Sequence, residues 1–382
     1  MRDSWSHAPN GGEPPVYFER KQFQQRINEF GLSLREGRFA TGLVICGSRG
    51  VGKTLELNRL HSTLLVSGVI PLKVVLGGRD SMNQAIGRSL NQALGERQPA
   101  NGSGTKWTVG GKIPFTPVEI SFERDGKVHG RDINDRLLTL AATTKGPGQG
   151  GVALLIDEAD AIVEGEFSDN LSELLEYASS ENAPVGVVVA GLSRDVWQRT
   201  AQGKRSYAEG LFDPLWLPRL DETQSRQLLV ETAASLGLDW KNLDLSRLVT
   251  TTYGVPRRIH AAGQDLWRRL ISGVDPNQAL EQSVAAQTKK AATVRSIGLT
   301  ESADVKMALS AMKRHGFTSM TTDTLVSSTA TEGSAVAQIL SGLEELASRG
   351  IVEIDFWDRI TALFEPDDID DLTTTDRQSR LF

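Results

Sequence analysis

One octapeptide constrains this chain more than any other stretch: Gly47-Ser48-Arg49-Gly50-Val51-Gly52-Lys53-Thr54. It follows the apolar run Gly42–Cys46 and opens a segment, from about Lys53 to Ser67, with helical apolar spacing. A buried strand feeding a glycine-rich turn that opens a helix is the phosphate-loop arrangement. Glycines let the backbone turn tightly enough for its N–H groups to converge on an anion. The helix N-terminus adds a partial positive charge, Lys53 reaches the β- and γ-phosphates, and Thr54 ligates Mg²⁺. The octapeptide therefore predicts an α/β fold and a site for ATP with Mg²⁺.

A second segment supplies the acidic partner. Val152–Ile156 is continuously apolar and delivers Asp157-Glu158 at its end, where open α/β sheets bind their ligands. Asp157 is expected to hold the metal, and Glu158 to orient and polarise an attacking water. The letters Asp157-Glu158-Ala159-Asp160 also spell a helicase tetrad. That reading fails because no further run of buried strands follows Leu220 to build a second sheet domain.

The periodicity around these motifs fits one nucleotide-binding domain over 17–220. Phe23, Ile27, Phe30 and Leu34 recur at helical spacing between Phe18 and Arg38. Pro71–Leu76 and Val185–Ala190 read as buried strands, with helices near Ser81–Leu94 and Ile133–Thr143. Such alternation implies a parallel sheet covered on both faces. A β-hairpin insertion is expected at about 101–130, where Val118–Phe122 alternates and Asp125-Gly126 offers a turn.

After Asp221 only helices are expected: one capped by Asp221 and running through Leu236, then Asp244–Thr251, then Pro256–Ile271. A polar helix or linker, Gln278–Ser296, completes a small helical lid and linker over 221–297. The last unit, 298–366, reads as three helices (Ser302–His315, Thr322–Ser328, Ser334–Arg349) and two strands, Ile351–Ile354 and Ile360–Phe364, the layout of a winged helix. Residues 1–16 read as a flexible tail and 367–382 as an acidic one.

Composition narrows the setting. A formal net charge of −6 argues against a surface given over wholly to nucleic acid. The single cysteine, Cys46, rules out a disulfide within the chain and reads as a buried strand residue. No apolar run reaches the roughly 18–20 residues of a membrane span, so no membrane role and a cytoplasmic location are expected.

Taken together, these residues resemble the AAA+ superfamily, in particular the branch similar to origin-recognition-complex ATPases. Gly47–Thr54 and Asp157-Glu158 match its Walker A and Walker B motifs, and Tyr17–Lys21, with Phe18 and Arg20, looks like its adenine-pocket motif. Ser193 takes the first sensor position, and Gly254-Val255-Pro256-Arg257 resembles the second, with Arg257 toward the γ-phosphate. Arg205 is a candidate trans-acting arginine, which implies a homo-oligomer. Tyr207–Phe212 followed by Leu215–Leu220 is similar to a segment of many bacterial ATPases of this branch.

The resemblance implies a P-loop parallel-sheet ATPase domain with a helical lid and a C-terminal winged helix. It implies slow, partner-regulated ATP hydrolysis that switches assembly on DNA or on a protein. The sequence departs from the pattern at the winged helix, whose helix Ser334–Arg349 offers Glu344 and Glu345 but no basic residue before Arg349. Neutralising phosphates dominates non-specific DNA affinity, so this helix is a poor electrostatic reader. Basic residues gather instead at Arg257, Arg258, Arg268 and Arg269, and at Lys289 and Lys290. DNA through lid and winged helix is thus one candidate partner. A protein docked on the winged helix is another, as in a signalling or defence NTPase of the STAND type.

Overall fold

The computed structural model describes residues 16–76, 82–93, 107–109, 112–113, 116–117, 120–122, 130–144, 150–159, 166–191, 210–299, 302–315, 320–329, 333–348, 352–354 and 359–362. The chain divides into two compact units. One comprises Arg20–Cys46 and Lys53–Trp216; the other comprises Gly47–Gly52 with the described residues before Arg20 and after Trp216.

In the first unit, helix α1 (Lys21–Arg35) buries Phe23, Ile27, Phe30 and Leu34, the four positions its spacing marks. Strand β1 (Gly42–Cys46) is buried at every position, followed by α2 (Lys53–Val66), β2 (Ile70–Val75) and α3 (Met82–Ala93). Short strands β3 (Trp107–Val109), β4 (Lys112–Ile113), β5 (Thr116–Pro117) and β6 (Ile120–Phe122) come next, then α4 (Gly130–Thr143) and β7 (Val152–Asp157). Helix α5 (Glu166–Ser180), β8 (Val185–Ala190) and β9 (Phe212–Trp216) complete the unit.

Five strands form one parallel sheet in the order β2-β7-β8-β1-β9. Strands β1, β7 and β8 are buried at every residue because both faces of a parallel sheet are covered. The two edge strands each contain a proline, Pro71 in β2 and Pro214 in β9. A proline lacks the N–H that an interior strand must donate, so edges tolerate it. Strand β6 pairs antiparallel with the upstream β3, placing Trp107 opposite Phe122. The expected partner across Asp125-Gly126 lies outside the described residues.

The second unit carries α6 (Glu222–Ser235), α7 (Ser246–Thr250), α8 (Pro256–Ile271) and α9 (Pro276–Leu299). Asp221 caps α6 with a full capping box: its carboxylate accepts from Gln224 N–H at 2.7 Å while the Gln224 side chain accepts from Asp221 N–H at 3.1 Å. Leu228, Leu229, Trp240, Leu248, Ile259 and Leu266 belong to a shared core, against which Phe18 packs.

Farther along lie α10 (Ala303–Arg314), β10 (Met320–Thr321), α11 (Thr322–Thr329), α12 (Gly333–Ser348), β11 (Val352–Ile354) and β12 (Arg359–Ala362). The three strands make an antiparallel sheet in the order β10-β12-β11 around a core of its own. Helices α10 and α12 approach closely, since a Cβ at Gly342 would stand 2.2 Å from the carbonyl oxygen of Asp304. Among the described residues no helix is long and apolar enough to cross a membrane.

Candidate nucleotide site

The loop Gly47–Gly52 is held from within its own unit. Val51 N–H donates to the Ser48 carbonyl at 3.3 Å, and Val51 is fully buried. Gly50 adopts φ +83°, which favours glycine, and a Cβ there would sit 2.8 Å from the Cβ of Arg257. The Gly50 carbonyl accepts the backbone N–H of Arg257 at 3.2 Å. Arg257 is in the first turn of α8, where amide groups have no partner inside the helix. The glycine loop therefore supplies the cap that α8 lacks, for its N-cap Val255 makes no side-chain cap bond. The Arg257 side chain itself is exposed.

In the sheet unit, Lys53 and Thr54 open α2, and Glu56 stands in the same first turn. Glu56 is buried and its Oε1 lies 3.1 Å from Arg20 Nη1, with side-chain exposures of 2% and 10%. Asp157, the last residue of β7, is buried, and its Oδ1 accepts the backbone N–H of Glu158 at 3.0 Å. Glu158 itself has φ +56°, a left-handed conformation that non-glycine residues rarely adopt. Its side chain is exposed at the strand end while the neighbouring carboxylate is pinned by the backbone.

Strand β8 lies between β1 and β7, so the strand that precedes the phosphate loop and the strand that ends on Asp157 flank the one that leads toward Ser193. Gly191, just past β8, donates its N–H to the Ile45 carbonyl at 3.1 Å. The donor set of Thr54 hydroxyl and Asp157 carboxylate suits Mg²⁺, which takes few protein oxygens and fills its octahedron with water and phosphate.

Residues 38–199 match the family model of the AAA domain. The structure is also similar to that of the ORC2 protein of Aeropyrum pernix, determined as ADPNP–ADP complexes, at 14% identity and a TM-score of 0.56 over 100% of this chain and 98% of that one. The ORC1 protein of Aeropyrum pernix, determined in complex with DNA, is similar at 19% identity and a TM-score of 0.50, again over 100% of this chain and 98% of that one. At these identities the likeness establishes the fold alone, a parallel-sheet α/β P-loop ATPase fold. No curated protein sequence matches this chain.

The AAA domain match spans Gly47–Thr54, Asp157 and Glu158. Of the residues outside it, Phe18 packs on the core of α6–α9, and Arg257 meets the glycine loop through its backbone. Arg20 is engaged by Glu56. Ser193 and Arg205 lie outside the described residues. Sequence reading passed over Glu56, whose signal was a carboxylate on the face of α2 that carries the buried Leu60 and Leu64.

The basic residues of α8 are partly spoken for. The Arg258 guanidinium stacks over the Tyr253 ring at 5.6 Å, and Arg269 binds Asp265 at 2.9 Å and Gln282 at 2.8 Å. His260, buried on the same helix, has its pKa pushed down to about 4 by loss of water around the ring.

Proposed function

We propose that this chain is an AAA+-type ATPase of the origin-recognition-like branch that binds ATP with Mg²⁺ and uses slow hydrolysis to switch an assembly. The observation carrying the reading is the glycine loop whose Gly50 carbonyl caps the helix bearing Arg257. Such a loop meets its lid at the point where phosphates bind, so nucleotide state and lid position are read by one stretch of backbone. The N–H groups of Gly47, Ser48, Arg49, Gly50, Val51 and Gly52 cradle the phosphates, and Lys53 neutralises them. Thr54 and Asp157 hold the metal. Glu158, whose backbone is left-handed, accepts a proton from the water that attacks the γ-phosphate. Arg257 contacts the γ-phosphate from the same chain, Ser193 orients the water, and Arg205 acts on a neighbouring copy in a homo-oligomer. Residues 17–220 form the ATPase domain, 221–297 the lid and linker, and 298–366 a winged helix, in a cytoplasmic protein.

Lys53→Ala abolishes ATP binding under this reading. Glu158→Gln keeps binding and lowers phosphate release by about 10²-fold or more, the range over which general-base removal acts. ATP turnover by Glu158→Gln at the parent rate would remove the assignment.

A specific observation favours a protein over DNA as the partner of the winged helix. The exposed positions of α12, the helix that would enter a groove, include Ala337, Leu340, Ser341 and Glu344, with no cation among them. ORC1 of Aeropyrum pernix was determined with DNA, so DNA remains the comparison arm. Binding to duplex DNA measured from 50 to 200 mM salt separates the two. A protein-docking chain gives no salt-dependent affinity, whereas phosphate contacts cost orders of magnitude over that range.

A further inference from the structure

A second connection joins the glycine loop to α8, from the side opposite Gly50. Gly47 lies against the backbone of Leu217, for a Cβ there would stand 2.9 Å from the Leu217 carbonyl oxygen. Three residues farther on, Leu220 donates its N–H to the Gly254 carbonyl at 2.9 Å. Gly254 packs so tightly there that a Cβ would sit 2.0 Å from the Leu220 carbonyl oxygen. Pro256 then opens α8, and Arg257 donates its N–H to the Gly50 carbonyl. Residues 217–220 and 253–257 thus bracket the loop, all within the second unit.

This bracket holds a strained residue. Tyr253 adopts φ +52° and Gly254 follows at φ +68°. Glycine takes this conformation freely, whereas a bulky side chain stays in it only where the surroundings fix it. Two arginines meet Tyr253. Arg219 Nη1 donates to the Tyr253 carbonyl at 3.3 Å, and the Arg258 guanidinium stands over the Tyr253 ring. The two contacts differ in what they fix. The carbonyl belongs to the peptide linking Tyr253 to Gly254, so the Arg219 bond sets the direction in which the chain enters α8. A right-handed backbone at Tyr253 would turn that carbonyl elsewhere and re-aim the helix. The bond is charge-assisted, which makes it stronger than one from a neutral donor.

We infer that Arg219 is a positioning residue for the γ-phosphate contact. It holds Tyr253 in the left-handed conformation, so that α8 presents Arg257 at the glycine loop. The inference rests on the ATP-binding reading above and on the place that reading gives Arg257.

The test measures the affinity of the full chain for ATP and for ADP by calorimetry, with thermal melts alongside. Arg257→Met sets the scale, since it removes the γ-phosphate contact and lowers the ratio of ATP to ADP affinity. Arg219→Met is expected to lower that ratio by about tenfold, the fold-change matching one charge-assisted hydrogen bond, while ADP affinity holds. Asparagine enters the left-handed region far more readily than tyrosine does. Tyr253→Asn should therefore keep the parent ratio, and Arg219→Met/Tyr253→Asn should restore it. If Arg219→Met does not fold, Arg219→Lys takes its place, because an ammonium lacks the planar fork. Its smaller drop should again vanish beside Tyr253→Asn. An Arg219 variant that lowers the melting temperature but keeps the ratio overturns the inference, leaving ATP binding intact. So does a Tyr253→Asn chain that loses the ratio, or a double variant that is not restored. A parent that binds no nucleotide, or an Arg257→Met chain with the parent ratio, removes the underlying reading and the inference with it.

Discussion

Helices α8 and α12 are both 16 residues long and both amphipathic, yet they are charged in opposite senses. Helix α8 carries Arg257, Arg258, Arg268 and Arg269; α12 carries Glu344 and Glu345 and no cation. Each is seated through a glycine. Gly50 receives the first turn of α8, and Gly342 lets α12 lie against the backbone of Asp304. The difference teaches where this chain invests positive charge: on the helix that meets the glycine loop, and away from the helix that the winged-helix layout would send into a DNA groove.

Four measurements sharpen or break that comparison. The largest effect is expected from Gly342→Ala, whose methyl would overlap the Asp304 carbonyl. It should cost about 3 kcal/mol or more in a chemical melt, as overpacking against backbone does, and leave ATP affinity unchanged. A silent Gly342→Ala would mean the two helices are not held at this distance.

Acid should destabilise α8 through His260. Its folded pKa of about 4 lies below the ordinary value of 6.5, so the unfolded chain takes up the proton first as pH falls. The stability contributed by a neutral His260 is complete above pH 6.5 and is lost progressively down to about pH 4, a total near 3 kcal/mol. His260→Leu should flatten the profile in that window. Helix α12 has no histidine and should not respond.

Gly50→Ala should cost about 2 kcal/mol, from the left-handed φ and the 2.8 Å approach to Arg257. Unlike Gly342→Ala, it should also weaken ATP, so the pair of variants tells a seat shared with nucleotide from a purely structural one. The smallest effect is expected from Glu344→Lys, which should add salt-dependent DNA binding with a slope change near one phosphate contact. A parent chain already showing a steep salt slope would overturn the contrast between the helices.

Much of the fold was legible because its signals are local. Continuous apolar runs marked β1, β7 and β8, and the spacing of Phe23, Ile27, Phe30 and Leu34 marked the buried stripe of α1. Strand β9 escaped because Pro214 interrupts it, a residue that an edge admits and an interior strand does not. Strand β10 has two residues, too few to show alternation. Helix α5 does carry Leu171, Leu174, Leu175 and Ala178 at helical spacing, a signal left unassigned between two strong strands.

The site divides the same way. Gly47–Thr54 and Asp157-Glu158 are each contiguous, one leading into α2 and the other at the end of β7, so sequence displays them whole. Glu56 and Arg20 are 36 residues apart, and Gly50 meets Arg257 through main-chain atoms that no side-chain pattern records. Likewise the left-handed backbone of Glu158 has no sequence signature.

The prolines at the two margins of the central sheet also limit growth of that sheet through its edges. Edge-to-edge sheet growth needs a row of amide donors along the exposed strand. Pro71 and Pro214 each delete one from the only margins the parallel sheet has among the described residues. Pairing of a further strand along either margin, from this chain or another, is thereby disfavoured.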